Sequence, residues 1–182
     1  MLGTFYGVAR VSTWISGVAL VLCAVLVALE VVLRKAFSYS IGGVDEITSY
    51  VFAIGVAWSL AFTLLGRAHI RIDLVYARLA PAWRSSLDLM ALASLLVVSG
   101  MLLWQAAATA MTSFEIGARS NTPLGIVLWV PQSLWVAGLA FFVAVIVALM
   151  AKATRMLARG QHRHIAGIIG IRTVDEEIRD ET

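Results

Sequence analysis

Val11–Leu29, VSTWISGVALVLCAVLVAL, runs nineteen residues without a charge. A helix needs roughly 20 apolar residues to cross a hydrocarbon core about 30 Å thick. Three more charge-free runs follow, Ile47–Gly66, Leu89–Phe114 and Ser120–Ala151, of 20, 26 and 32 residues. Lipid offers the backbone no hydrogen bonds, so each run is predicted to be a helix that satisfies its own. The expected fold class is an all-α integral membrane protein. Its four transmembrane helices are expected at about 11–33, 47–66, 87–112 and 131–151. Residues 1–155 are read as one membrane domain and 156–182 as a charged tail.

Composition agrees. The 182 residues are 60% hydrophobic and 14% charged, far from a soluble average. The net charge of +3 sits mainly in loops and tail, with no folded basic surface for nucleic acid. It reads as membrane topology and lipid contact. Cys23 is the single cysteine and lies in the first apolar run, where a thiol behaves as a small hydrophobe. Arg10 followed by that run has the outline of a signal peptide. The run is too long, and no small-residue cleavage site precedes Glu30, so a retained first helix is expected.

Basic residues orient the chain. Across four crossings the N-terminal stretch, the second connection and the tail share one side. They hold eleven of the fourteen Lys and Arg residues, against three on the other side. The positive-inside rule places both termini in the cytoplasm. Trp14 and Trp83 then fall near the inner ends of helices, and Trp104, Trp129 and Trp135 toward the outer face. Trp58 lies mid-helix and is expected to pack between helices.

The connections carry the polar signals. Glu30 and Arg34 stand one helical turn apart near the outer end of helix one, a favourable pairing. Gly42-Gly43 marks a turn. Asp45 and Glu46 open helix two, where acids suit the positive end of the helix dipole. Arg67, Arg71 and Arg78 share one face of the second connection, with Ile72, Val75, Tyr76 and Leu79 on another. A short amphipathic helix over about 68–80, lying in the membrane surface, is predicted. Pro81 is expected to end it, and Ser85-x-x-Asp88 to cap helix three. Gln105 and Thr109 are placed to hydrogen-bond across helices. Asn121, Thr122 and Pro123 turn the chain before helix four, Trp129 flanks it, and Pro131 suits its first turn. Two alanine stripes, at Ala53, Ala57 and Ala61 and at Ala140, Ala144 and Ala148, would let helices approach closely.

Enzymatic and cofactor sites are not expected. His69 stands alone, and His162 and His164 sit in the tail, so no paired ligands for haem or metal are visible. There is no phosphate-binding glycine loop and no nucleophile beside a base. Glu30 is the one carboxylate whose position invites a transport role. The alternative reading is therefore a stand-alone, proton-coupled small-molecule exporter using Glu30. Its place near a helix end, with Arg34 in reach, favours ion pairing instead. A chain this poor in buried polar groups looks like a subunit that serves another membrane protein.

Several short patterns carry a family resemblance. They are Glu30–Arg34, Asp45-Glu46, the Gly66–Leu74 stretch GRAHIRIDL with His69, Arg71 and Asp73, then Asn121-Thr122-Pro123-Leu124 and Trp129-Val130-Pro131. In this order, over about residues 10–155, the chain resembles the small membrane subunit of tripartite ATP-independent periplasmic (TRAP) transporters, the DctQ-like family. The resemblance implies a bacterial inner-membrane protein partnered by a large multi-span permease subunit and a periplasmic substrate-binding protein. It implies sodium-coupled uptake of organic acids, with this subunit as a scaffold beside an elevator-like transport domain. Glu30, Arg34, Asp45 and Glu46 would shape the outer face where the loaded binding protein docks. His69, Arg71 and Asp73 would fix the inner surface helix.

Overall fold

The computed structural model describes residues 2–66 and 81–158. They form four helices: α1 (Leu2–Phe37), α2 (Val44–Leu65), α3 (Pro81–Glu115) and α4 (Trp129–Ala158). All four are long and apolar enough to cross a membrane. The surface helix expected over 68–80, with Arg67, His69, Arg71, Asp73 and Arg78, lies outside the described residues, as does the tail from 159.

Each helix outruns its charge-free window at one or both ends. Charge marks where hydrocarbon ends, whereas caps and breakers decide where a helix ends. α1 starts at Leu2 rather than 11 and continues through Arg34 and Lys35, cations that suit a helix C-terminus. α4 begins at Trp129 rather than 131 and reaches Ala158, three residues into the stretch read as tail. α3 begins at Pro81 rather than 87. Proline fits the first helical position because its missing N–H would have no partner there. Ser85 and Asp88 therefore do not cap the helix. They lie inside it, both buried.

The helices divide between two compact units. The first holds Met1–Phe62 and Met101–Phe142, and the second runs over 63–100 and 143–182. In the first, Ala57 of α2, Ala106 of α3 and Leu139 of α4 form a buried cluster, with Leu60, Leu103, Trp135 and Val136 packed on it. A Cβ on Gly138 would lie 2.8 Å from Trp58 Cδ1 and 3.0 Å from the Ala57 Cβ. Only glycine allows α4 to sit this close to α2. Trp58 fills the space beside it, donating Nε1–H to the Leu134 carbonyl at 3.0 Å and stacking on Phe141 with centroids 5.8 Å apart. In the second unit the described core includes Leu92, Val145, Ile146 and Leu149.

The alanine stripes divide. Ala57 and Ala61 are buried, but Ala53 is exposed. On α4 the stripe faces away from the core, with Ala140 and Ala144 exposed; the packed face is Leu139, Phe142, Val145, Ile146, Leu149 and Ala153. The expected cross-helix bond at Thr109 is local: its hydroxyl donates to the Gln105 carbonyl one turn back, at 2.9 Å.

Candidate functional site

The polar chemistry of the first unit concentrates in two connections, α1–α2 and α3–α4. α1 stops where Ser38 takes a left-handed φ of 53°, and the Tyr39 N–H turns back to the Leu33 carbonyl at 3.4 Å. The connection then folds onto Glu30. Its Oε1 accepts from Arg34 Nη2 at 2.7 Å and from the Ser40 hydroxyl at 2.5 Å. Its Oε2 accepts the Ile41 N–H at 2.8 Å. Only 4% of Glu30 is exposed. Three donors on one buried carboxylate hold the connection against the helix end, because any donor lost would leave charge unmatched in a desolvated place.

Gly42 and Gly43 complete the turn at φ 73° and 76°, a region open to glycine and costly for other residues. Gly43 also meets a steric limit, since a Cβ there would collide with the Leu124 side chain. Gly42 faces Pro123, 3.9 Å from where its Cβ would be. The first connection thus packs directly on the second.

That second connection is a miniature hairpin. Arg119 and Val127 form an isolated antiparallel bridge. Flanking backbone bonds run from Ser120 N to Ile126 O at 2.8 Å and from Leu128 N to Ala118 O at 3.0 Å. Thr122–Gly125 makes the tip, with Gly125 at φ 56° and its N–H on the Thr122 carbonyl at 3.1 Å. Arg119 Nη1 donates across the loop to the Gly125 carbonyl at 3.3 Å. A second carboxylate ties this hairpin to α2. Glu46 Oε1 accepts from the Tyr50 hydroxyl at 2.7 Å, and Oε2 accepts from the Thr122 hydroxyl.

The residues singled out in the sequence divide by role. Glu30 and Arg34 form an ion pair, and Glu46 meets Thr122, 76 residues away. Asp45 and Asn121 are exposed at the same end. Trp129 packs edge-on against Phe114, centroids 5.6 Å apart, and Pro131 is buried in the first turn of α4. Sequence reasoning missed Ser40, the Ile41 N–H, Tyr50 and the Gly43–Leu124 contact. Tyr50 could have been found from its four-residue spacing to Glu46. The others depend on how loops fold back, which no local pattern encodes. Chemically the arrangement makes a stiff polar platform whose two buried carboxylates are engaged by structural donors. Among the described residues no three His, Cys, Asp or Glu side chains group as a metal cluster would.

Residues 23–156 match the family described as tripartite ATP-independent periplasmic transporters, DctQ component. No curated protein and no solved structure matches the chain.

Proposed function

The chain belongs to that DctQ family and is therefore a small membrane subunit of a TRAP transporter; from this premise we propose that it is the scaffold on which the large permease subunit works. In this reading the large subunit moves an organic acid inward on a sodium gradient, and a periplasmic binding protein delivers the cargo. The protein lies in the bacterial inner membrane with both termini cytoplasmic. The excess of basic residues in the N-terminal stretch, second connection and tail supports that orientation. The platform then faces the periplasm.

The observation that carries the reading is the pair of carboxylate clamps. Glu30 and Glu46 each spend their oxygens on neighbouring structure, which suits a part that must hold still while another slides. Exposed Tyr39, Ile41, Asp45, Asn121 and Leu124 then form the surface offered to the binding protein. Arg34, Thr122 and Pro123, also exposed, belong to the same surface, and Trp129 and Pro131 hold the approach to α4. On the opposite side Arg67, His69, Arg71, Asp73 and Arg78 would anchor a surface helix among lipid headgroups.

Affinity purification from native membranes in mild detergent tests the assembly, and a much larger multi-span protein should come with the chain. Single cysteines tested with an impermeant reagent check orientation: position 38 should label from outside, and position 83, exposed in the first turn of α3, should not. Recovery of the chain alone, or reversed labelling, counts against the proposal. Proton-driven efflux from liposomes holding only this chain, lost in Glu30→Gln, would replace it with the exporter.

A further inference from the structure

A groove of about 630 Å³ opens along the flank of α1, walled by Trp14, Val21 and Leu22 and by Phe62 of α2, with Gly17 in its floor and Arg10 at one end. Gly17 creates part of the space, since a Cβ there would meet nothing within 4 Å. Phe62 is held in place by Tyr6, ring centroids 5.7 Å apart. Thr13 also lines the groove, but its hydroxyl donates to the Ala9 carbonyl at 2.8 Å, so its polarity is spent inside the helix. Arg10 is the one charged group in the lining. It is exposed and has no hydrogen-bond or ion-pair partner among the described residues.

The groove is apolar along its length and cationic at its tip, which is the complement of an anionic amphiphile. Its length points the same way. From Arg10 to Leu22 the helix rises about 18 Å at 1.5 Å per residue, while one leaflet contributes about 15 Å to the hydrocarbon core. A partner helix lying on this flank would have to bring an acid to Arg10, whereas a phospholipid carries its own anion. An acyl chain needs one leaflet's depth and a headgroup at the end. We infer that this groove binds one anionic phospholipid, its phosphate on the Arg10 guanidinium and one acyl chain along Gly17 and Val21. Arginine suits that end because its planar fork pairs with phosphate oxygens in a bidentate manner. The site does not depend on the scaffold proposal or on which side of the membrane Arg10 faces.

Native mass spectrometry of the full chain in mild detergent tests the site, with phosphatidylglycerol and phosphatidylcholine of equal chain length as probes. The wild-type chain should retain one phosphatidylglycerol in preference to phosphatidylcholine. Arg10→Gln should cut phosphatidylglycerol retention about fivefold and phosphatidylcholine retention by less, because choline already offsets the charge of that lipid's phosphate, and Arg10→Lys should restore part of the loss. Gly17→Leu fills the floor without touching the fold and should lower retention of both lipids. A photo-crosslinker at Val21 in native membranes should give a lipid-sized product. Retention unchanged in Arg10→Gln or Gly17→Leu, or a crosslink mainly to protein, overturns the inference.

Discussion

α1 and α4 share a mean hydropathy of 2.7 over their most apolar windows, yet 11% of the α1 window is buried inside the protein against 33% for α4. In water such equal apolarity would demand equal burial. In lipid it does not, because acyl chains solvate a leucine as well as a protein core does. Hydropathy therefore identifies both as spans and is silent on which one is packed. Close approach and shape make the difference. α4 brings Gly138 against Ala57 and Trp58, whereas α1 leaves residues such as Ile15, Val18 and Val25 mostly uncovered.

Matched substitutions on the two helices put that contrast to work. Leu139→Ala on α4 opens a hole in the Ala57–Ala106 cluster and should cost about 2–5 kcal/mol. Leu22→Ala on exposed α1 should cost a small fraction of this. Gly138→Leu should cost about 1–3 kcal/mol or more by forcing α2 and α4 apart, while Gly17→Leu leaves stability essentially unchanged. Reversible unfolding in mixed micelles, followed by tryptophan fluorescence, gives these differences. Equal losses on the two helices would mean that α1 is as tightly packed as α4.

The clamped connections should respond differently again, through local opening. In Glu30→Gln the amide cannot accept from all three donors, and its NH2 group would face either the Ile41 N–H or the Ser40 and Arg34 donors. The expected result is a fall of several degrees in melting temperature, with new protease cleavage between residues 38 and 43. Glu46→Ala, which removes both acceptors from the Tyr50 and Thr122 hydroxyls, should loosen the 118–128 hairpin and leave the 38–43 turn protected. Cleavage of both loops in either variant would show that the two clamps act as one unit.

These contrasts also show how far sequence could reach. The four spans were legible because bilayer thickness sets a length that composition must meet. The Glu30–Arg34 pair was legible because four residues is one helical turn, and Asp45 and Glu46 because helix starts favour acids. The partners that make those acids matter were not. Ser40 and Ile41 reach Glu30 from beyond the helix end, and Thr122 reaches Glu46 across 76 residues. The α4 alanine stripe misled for the reason that α1 and α4 differ. In lipid, small residues permit a close approach without saying that one happens within the chain, and Gly138 marks where it does. The family resemblance rested on the order of short motifs, which survives even when their contacts are invisible.

The smallest effect discriminates most finely, because one chemical change is made in two places. Val145 of α4 is 0% exposed and Val25 of α1 is 61% exposed. Val→Ala removes the same atoms at each. At Val145 the neighbours lose contacts that they cannot replace, and the cost should be about 1 kcal/mol or more. At Val25 lipid or detergent closes over the shorter side chain, and the change should stay within about 0.5 kcal/mol. Alanine's better helix propensity could even offset it. If Val25→Ala proved as costly as Val145→Ala in micelles of the isolated chain, the exposed face of α1 would have to be covered by a second copy of the protein. Dilution of the protein in detergent would then shift the unfolding midpoint, which a face solvated by lipid alone would not show.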